Sequence, residues 1–247
     1  MRLIQTKDYD TMSEYAANII KQQIREKENT VLGLATGSSP AGIYKNLVKA
    51  CEEGSLSMEK VMGFGLDEYM GIEKSCKQSF YSYLMKNLVE GTNFRKENLH
   101  VLDGMADDIQ QSCNEYEDKI NRAGGIDLQI LGIGETGHVG FNEPDVFFSD
   151  IPHCVRLEEE TRRANSRFFD SLMEVPEFAL TMGIGTIMRA RKILMVVSGF
   201  SKASVLEKMI YGRVTPQVPA SILQFHRDVT VIADEAASSV LNGRSLE

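Results

Sequence analysis

The 247-residue chain lacks the features that mark membrane, disulfide-rich and metal-binding proteins. No apolar run approaches the ~20 residues that a helix needs to cross a bilayer, and the amino terminus does not read as a signal peptide. The four cysteines, at positions 51, 76, 113 and 154, form no C-x-x-C pair and have no histidine at ligand spacing. We therefore expect free thiols, no metal site, no membrane partner and a cytoplasmic location.

Positive charge is also scarce, since 27 basic residues stand against 35 acidic ones. No basic run or patch with interleaved aromatic residues is present, which argues against a nucleic-acid partner. A phosphate-bearing small molecule remains compatible with this balance if a few cations gather in one pocket. No linker rich in proline and serine interrupts the chain, so we expect one domain spanning residues 1–247.

The apolar pattern alternates between helical and strand periods along most of the chain. Helical spacing occurs within residues 12–24, 43–51, 80–88, 109–120 and 205–210. Short apolar runs indicate strands at 30–34, 61–66, 99–102, 126–133, 193–197 and 229–232. This alternation predicts an α/β fold, a doubly wound, mostly parallel sheet with helices on both faces in a Rossmann-like, three-layer arrangement. Such sheets bind ligands at the carboxyl ends of their strands.

The segment from Gly132 to Pro144, G-I-G-E-T-G-H-V-G-F-N-E-P, follows one of these strands. Its glycines let the backbone turn sharply, His138 can titrate near neutral pH, and Glu143 can orient it or share its proton. The alternative is a glycine-rich structural turn with a satisfied histidine and a solvated glutamate. A structural turn needs no such collection of polar groups, so the pattern favours an active-site loop.

Two further loops follow predicted strands and suit an anion. Thr36, Gly37, Ser38 and Ser39 offer hydroxyls and open N–H groups at a helix start, as phosphate cradles do. An ordinary serine N-cap followed by proline is the alternative there. Lys202 opens another helix, where a cation opposes the helix dipole and a bound anion would account for it.

Asp67 and a later polar segment complete the set of candidates. Asp67 follows the strand at 61–66, where partial desolvation suits a carboxylate to proton transfer. An aspartate that caps a helix would give the same local sequence pattern and is the alternative. Residues 145–178 lack the strand–helix rhythm and carry the cluster T-R-R-A-N-S-R-F-F at 161–169. This segment is a candidate lid from which Arg163 or Arg167 reaches an anionic ligand, or else a solvated amphipathic helix.

Seven motifs together resemble the glucosamine-6-phosphate deaminase family, from about residue 1 to about residue 240. They are L-G-L-A-T-G-S-S-P at 32–40, G-L-D-E-Y at 65–69, S-F-Y-S-Y at 79–83, G-H-V-G-F-N-E-P at 137–144, T-R-R-A-N-S-R-F-F at 161–169, A-L-T-M-G-I at 179–184 and S-G-F-S-K-A at 198–203. F-N-E-P and D-E-Y separate this family from the related 6-phosphogluconolactonases, which share only the more general glycine–histidine loop.

The resemblance implies conversion of glucosamine 6-phosphate and water to fructose 6-phosphate and ammonia, without a metal or organic cofactor. It implies that His138, assisted by Glu143, opens the sugar ring, and that Asp67 moves a proton between C2 and C1. It further implies that the loop from Thr36 to Ser39, with Arg167 and Lys202, holds the phosphate. The remaining alternatives are a galactosamine 6-phosphate deaminase and a sugar-phosphate sensor without catalysis.

Two departures from the family pattern bear on these expectations. Thr136 stands two residues before the histidine, where the family usually carries Asp or Asn, so a hydroxyl replaces the group that orients His138. In the hexameric members, a serine and an Arg-x-Lys set bind N-acetylglucosamine 6-phosphate between subunits. Val146 replaces that serine, His153 and Val155 occupy the basic positions, and the chain stops before those members' carboxyl-terminal tail. We expect no such allosteric site, and the oligomeric state stays open between monomer and homo-oligomer.

Overall fold

The computed structural model describes residues 1–241, so positions 242–247 of the predicted domain lie outside the described residues. The strands of this part of the chain are β1 Arg2–Thr6, β2 Val31–Leu34, β3 Met62–Gly65, β4 Asp67–Tyr69, β5 Leu99–His100, β6 Leu128–Leu131, β7 His153–Arg156, β8 Phe178–Thr181, β9 Lys192–Val197 and β10 Val229–Asp234. Its α-helices are α1 Tyr9–Glu26, α2 Ser38–Glu52, α3 Phe80–Leu84, α4 Ile109–Arg122, α5 Glu159–Asn165, α6 Ile184–Met188 and α7 Ala203–Tyr211.

Short turns of other helix types complete the secondary structure. A π-helical turn, Met85–Val89, extends α3 directly. The 3₁₀ turns are Lys96–Asn98, Ser166–Phe168, Leu172–Glu174, Phe200–Lys202 and Pro219–Phe225. Two of these, Ser166–Phe168 and Phe200–Lys202, carry the arginine and the lysine that the sequence singled out.

Seven strands form the main sheet in the order β1-β10-β9-β6-β2-β3-β5, and every pairing in it is parallel. All residues of β2, β6 and β10 are buried, which requires cover on both faces of the sheet because successive side chains point to opposite faces. The predicted doubly wound parallel α/β fold is therefore confirmed.

The strand order places a topological switch between β2 and β6. From β2 the chain moves outward to β3 and β5, and from β6 it moves the other way to β9 and β10. The loops after β2 and β6 therefore diverge and leave a crevice at the carboxyl end of the sheet. They still lie near each other, since a Cβ added to Gly132 would stand 3.9 Å from the Ser39 hydroxyl.

A second sheet of three antiparallel strands, in the order β4-β8-β7, is absent from the sequence prediction. The predicted strand at 61–66 is in fact the end of one sheet and the approach to the other. Leu66 joins them, because its N–H donates to Leu34 O at 2.8 Å and its carbonyl accepts from Met182 N at 2.8 Å. The expected lid, 145–178, contributes β7 to the second sheet and also contains helix α5 and two 3₁₀ turns.

Helices α1 and α2 pack against each other through their apolar residues. Asp8 caps α1 by accepting a hydrogen bond from Thr11 N at 2.8 Å, and Met12, Ala16 and Ile20 are fully buried. Tyr15, which lies within the predicted helix at 12–24, is 43% exposed. The helical pattern therefore predicted α1 correctly, although Tyr15 lies outside its buried face.

The four cysteines are free thiols, as expected. Within residues 1–241, no helix is both long enough and apolar enough to cross a membrane. The same part of the chain holds no group of three His, Cys, Asp or Glu side chains that could bind a metal ion.

Candidate active site

Four neighbouring strands in the middle of the main sheet are each followed by a segment that carries predicted functional residues. In the order β9, β6, β2 and β3, these segments carry Lys202, the pair His138 and Glu143, residues 36–39, and Asp67, which is the first residue of β4. Because the strands are parallel, their carboxyl ends lie at one edge of the sheet. The fold therefore gathers these residues around the switch crevice.

Three side chains of the loop after β6 form a closed triangle of hydrogen bonds. His138 Nδ1 lies 3.0 Å from Glu143 Oε2, and the Thr136 hydroxyl lies 2.9 Å from each of those two atoms. The hydroxyl donates to the carboxylate, so both neighbours of Nδ1 can accept a proton from it. Nδ1 then carries the hydrogen, and Nε2 is left to exchange a proton with a ligand.

Two glycines make the position of His138 sterically feasible. A Cβ on Gly134 would lie 2.0 Å from His138 Nε2, so any side chain there would displace the ring. Gly137 has a φ of +91°, which L side chains rarely adopt. Steric constraints therefore explain why glycine occupies positions 134 and 137.

Thr161 is a further partner of Glu143, one that the sequence does not predict. It belongs to α5, is 5% exposed, and donates a short hydrogen bond to Glu143 Oε1. Burial raises the pKa of Glu143, but the bond to His138, the charge of His138, and the hydroxyls of Thr161 and Thr136 outweigh it, so the pKa lies below its usual value. Thr161 opens the polar cluster 161–169, in which the sequence pattern points only to the arginines.

Asn142 holds the shape of this loop. Its amide nitrogen donates to Val139 O and Met182 O, both at 2.8 Å, and its oxygen accepts from Ser149 at 2.7 Å. All its polar atoms thus face other protein groups, which makes Asn142 a structural residue of the loop.

Asp67 is 7% exposed and begins β4. Its Oδ1 is buried without a hydrogen-bond partner among the residues described, 1–241. Burial, followed by the neighbouring charge of Glu68, raises the pKa of Asp67 from 3.8 to about 8. A buried carboxyl with an unused oxygen and a pKa near neutrality is suited to exchanging protons with a ligand.

The helix-capping alternative for Asp67 is wrong, because its neighbour Glu68 has that role. Glu68 accepts from Phe80 N at 2.9 Å and from Tyr81 N at 3.0 Å, the first two N–H groups of α3, and from Tyr69 N at 2.9 Å. A carboxylate at this end of a helix is favoured by the unpaired N–H groups and the helix dipole.

The segment 36–39 leads into α2 through Gly37, the N-cap residue, which has a φ of +94° and no side-chain capping bond. The serine N-cap alternative is therefore wrong. The N–H groups of Ser38 and Ser39, in the first turn of α2, have no intrahelical acceptor and are available to an anion.

Lys202 lies at the start of α7 with its ammonium 3.7 Å from Glu135 Oε1. Burial lowers the pKa of Lys202, Glu135 opposes that shift, and the charge of Arg167 lowers the pKa further. Arg167, on the turn Ser166–Phe168, is thus close enough for the two cations to repel each other. Two cations near each other beside a crevice suit a doubly charged ligand.

Arg163 and Arg167 have different surroundings, although the sequence placed both on one face. The exposed Arg163 forms an ion pair with Glu159 one turn earlier in α5. Arg167 has its guanidinium carbon 4.7 Å from the ring centroid of Phe168. Of the two, Arg167 is the one that acts on Lys202.

Asp234, at the end of β10, fixes the loop that carries Lys202 and was not predicted. Its carboxylate accepts from the Ser198 hydroxyl, from Gly199 N at 3.1 Å and from Ala237 N at 2.8 Å. The sequence near Asp234 does not show its role, because Ser198 and Gly199 follow a different strand, β9.

Comparison with known proteins shows that this chain has relatives in sequence and in fold. The sequence model described as glucosamine-6-phosphate isomerases/6-phosphogluconolactonase matches residues 6–232. The chain is 50% identical over 241 residues to glucosamine-6-phosphate deaminase of Clostridium acetobutylicum, covering 98% of this chain and 100% of that protein. It is 47% identical over 247 residues to glucosamine-6-phosphate deaminase of a Thermoanaerobacter species, covering 100% of this chain and 98% of the relative.

Solved structures give the same grouping. A monomeric glucosamine-6-phosphate deaminase superposes with a TM-score of 0.95 at 39% identity, covering 97% of this chain and 100% of that one. A 6-phosphogluconolactonase from Trypanosoma cruzi superposes with a TM-score of 0.73 at 20% identity, covering 98% and 97%. At that identity, the second likeness extends to the fold alone.

Proposed function

Because the chain belongs to the family of glucosamine-6-phosphate isomerases and 6-phosphogluconolactonases, we propose that it is a glucosamine-6-phosphate deaminase. It converts glucosamine 6-phosphate and water to fructose 6-phosphate and ammonia. The relatives at 47% to 50% identity and the neighbour at a TM-score of 0.95 carry that name. Among the site's features, the buried carboxyl of Asp67 carries the proposal, because aldose–ketose chemistry needs a base at C2.

Ring opening is the first step and falls to His138. The free Nε2 takes the proton from O1 of the pyranose and returns a proton to O5, so the ring C1–O5 bond breaks and C1 becomes an aldehyde. Glu143 and Thr136 hold the Nδ1–H side of the ring and keep Nε2 in the acceptor state. Their support is strongest when Nδ1 carries its proton.

Proton transfer between C2 and C1 is the second step and falls to Asp67. As a carboxylate, it takes the C2 proton while the aldehyde oxygen O1 takes a proton from the substrate's C2 ammonium group, which gives a neutral enolamine. Asp67 then returns its proton to C1 and leaves a protonated imine at C2. Water adds to the imine carbon, and ammonia departs as the C2 carbonyl of fructose 6-phosphate forms. A carboxyl whose pKa is about 8 takes and returns protons with little free-energy cost near neutral pH.

The phosphate lies between the start of α2 and the paired cations. Thr36, Gly37, Ser38 and Ser39 supply N–H and hydroxyl donors, while Lys202 and Arg167 supply positive charge in a chain of net charge −8. Residues 145–178 act as a lid, since Thr161 and Arg167 both come from this segment and both approach groups of the site.

The protein acts as an unregulated form without the allosteric N-acetylglucosamine 6-phosphate site. Val146 is 84% exposed and offers no hydrogen bond through its side chain, and the His153 Nδ1 is engaged by Ile151 O at 2.9 Å. The 39%-identical structural neighbour is a monomeric deaminase, which makes a monomer the simplest assembly. Addition of N-acetylglucosamine 6-phosphate should leave the substrate saturation curve unchanged. A shift of that curve would contradict the proposed absence of the allosteric site.

Ammonia release from the purified protein tests the proposed reaction. Glucosamine 6-phosphate and galactosamine 6-phosphate are supplied in parallel, with fructose 6-phosphate and tagatose 6-phosphate measured as products. A glucosamine-6-phosphate deaminase should release ammonia faster from glucosamine 6-phosphate than from galactosamine 6-phosphate. Faster release from galactosamine 6-phosphate would instead identify a galactosamine 6-phosphate deaminase. No release of ammonia from either substrate would favour a sugar-phosphate sensor.

A further inference from the structure

Three tyrosine hydroxyls converge on the carbonyls of the segment 35–38. Tyr44 donates to Ala35 O at 2.6 Å, Tyr83 donates to Gly37 O at 2.6 Å, and Tyr9 donates to Ser38 O at 2.7 Å. The three side chains come from α2, α3 and α1 respectively. Three of four consecutive carbonyls in this segment are therefore fixed by side chains from three separate helices.

Fixing a carbonyl also fixes the N–H group of the next residue. None of the peptide bonds in residues 1–241 is cis, and in a planar trans peptide the C=O and the following N–H point in opposite directions. Each tyrosine that holds a carbonyl on one side therefore turns an N–H to the other side. The N–H groups oriented in this way belong to Thr36, Ser38 and Ser39.

We propose that Tyr9, Tyr44 and Tyr83 form a tyrosine clamp that positions the N–H groups of residues 36, 38 and 39 to bind the substrate phosphate. The three tyrosines do not touch the ligand and are positioning residues. This inference rests on the proposed function for the identity of the ligand, a sugar phosphate. It deepens that function by stating what gives the anion loop its shape.

The loop depends on such outside support because its own sequence gives little. Gly37, at a φ of +94°, is the most permissive residue type, and α2 begins without a side-chain capping bond. An unsupported loop of this composition samples many conformations, and a ligand that orders it must offset the lost conformational entropy. Holding the carbonyls beforehand removes part of that cost.

The surroundings of the tyrosines keep their hydroxyls protonated and directed. Tyr44 is fully buried, and its ring meets that of Tyr83 edge-on with centroids 6.4 Å apart. Burial raises the pKa of both phenols, so each stays a neutral donor. The Tyr9 hydroxyl also accepts from Gly42 N at 2.8 Å, which fixes its second direction.

Gly42 is the residue that lets Tyr9 approach α2. A Cβ at that position would lie 3.0 Å from the Tyr9 ring and 2.3 Å from the Ser13 hydroxyl. The close contact of α1 with the start of α2 therefore depends on a glycine, and the hydroxyl of Tyr9 reaches its two backbone partners only through that contact.

The test replaces each clamp tyrosine by phenylalanine, which removes one oxygen and keeps the ring. Binding of inorganic phosphate and of fructose 6-phosphate is measured by calorimetry, and turnover is measured with glucosamine 6-phosphate. Tyr116→Phe is the matched control, since Tyr116 is also buried and donates to a carbonyl at 2.6 Å, that of Gly65 in β3 rather than one in the anion loop.

Each clamp variant should weaken phosphate and fructose 6-phosphate binding by about fivefold to thirtyfold, the effect of one or two kcal/mol. KM should rise while kcat stays within about twofold, because the phosphate contacts bind substrate and transition state alike. Tyr116→Phe should leave both affinities unchanged. Unchanged phosphate affinity in folded Tyr9→Phe and Tyr83→Phe, or an equal loss in Tyr116→Phe, would overturn the clamp.

The clamp can be tested even if one variant does not fold or if the protein releases no ammonia. If Tyr44→Phe does not fold, the half-buried Tyr9 and Tyr83 still carry the test. Phosphate binding is measured without turnover, so a protein that releases no ammonia but loses phosphate affinity in the clamp variants would contradict the deaminase proposal and support the clamp. Ammonia release together with clamp variants that bind phosphate normally would support the deaminase proposal and overturn the clamp.

Discussion

Asp67 and Glu68 are adjacent carboxyl groups with opposite surroundings. Glu68 accepts three backbone N–H groups and anchors the start of α3, whereas Asp67 Oδ1 is buried with no partner in the part of the chain that the structure describes. Burial raises the pKa of both groups, and only Glu68 receives hydrogen bonds that oppose the shift. The consequence is one structural carboxylate beside one that is poised to exchange a proton.

The buried Asp67 should make the fold less stable as pH rises. Its pKa is raised from 3.8 to about 8, so between those values the folded state binds more protons than the unfolded state. The contribution of the protonated Asp67 to stability is therefore present in full below the pKa of the unfolded state, and it is lost as pH rises through the pKa of the folded state. Asp67→Asn, which does not titrate, should gain about 2–5 kcal/mol over the wild type between about pH 4.5 and pH 8.5. Urea unfolding across that range measures it, and a constant difference would contradict the assignment.

The raised pKa of Asp67 should also appear in the pH dependence of kcat/KM. Asp67 must be ionised to accept the C2 proton, so kcat/KM should fall as pH drops below about 8. A pH series with glucosamine 6-phosphate measures this acid limb, with initial rates of ammonia release at low substrate concentration. A plateau that extends down to about pH 5 would mean that Asp67 ionises as an ordinary carboxyl or is not the base.

Thr136 and Glu143 should matter for ring opening alone. Thr136→Val keeps the side-chain shape but breaks both hydroxyl contacts, and it should slow the cyclic substrate by about fivefold to thirtyfold, with Thr136→Ser as the rescuing control. Glu143→Gln should act in the same direction. An analogue lacking both the C4 and the C5 hydroxyls cannot close to a five- or six-membered ring and should be much less affected. Equal slowing of both substrates would show that these residues serve a later step.

Arg167 and Lys202 should discriminate phosphorylated from unphosphorylated ligands. Arg167→Ala and Lys202→Met should each weaken fructose 6-phosphate binding far more than fructose binding, because each removes a charge facing the dianion. Arg163→Ala is the matched control, since Arg163 lies in the same segment but pairs with Glu159. A loss in the control as large as that of Arg167→Ala would contradict the assignment.

Much of the fold could be predicted because its information is local. The strands β2, β6, β9 and β10 are short apolar runs, and such runs signal strands buried on both faces. The second sheet could not be predicted in this way. Its strands have three or four residues, β7 alternates between half-buried and exposed positions, and each pairs with a distant segment. Short strands of this kind exist only through their partners.

The site shows the same division between local and distant information. His138, Glu143 and Thr136 lie within eight positions of one another, and a single loop brings them into contact. Thr161 and Asp234 reach the same region from α5 and β10. Thr161 stands in the polar cluster 161–169, but no local pattern shows that its hydroxyl contacts Glu143, and no local pattern marks Asp234. Tyr44 and Tyr83 lie within the predicted helical segments 43–51 and 80–88, but a periodic apolar pattern does not show where a hydroxyl points.

The most direct measurement of the account is deamination by Asp67→Asn. The amide keeps the shape of the side chain but cannot accept the C2 proton, so turnover of glucosamine 6-phosphate should fall by ~10² or more, the effect of removing a positioned base. Fructose 6-phosphate should still bind with the wild-type affinity, since Asp67 has no part in holding the phosphate. Ammonia release within a fewfold of the wild-type rate would remove Asp67 from the mechanism and contradict the account.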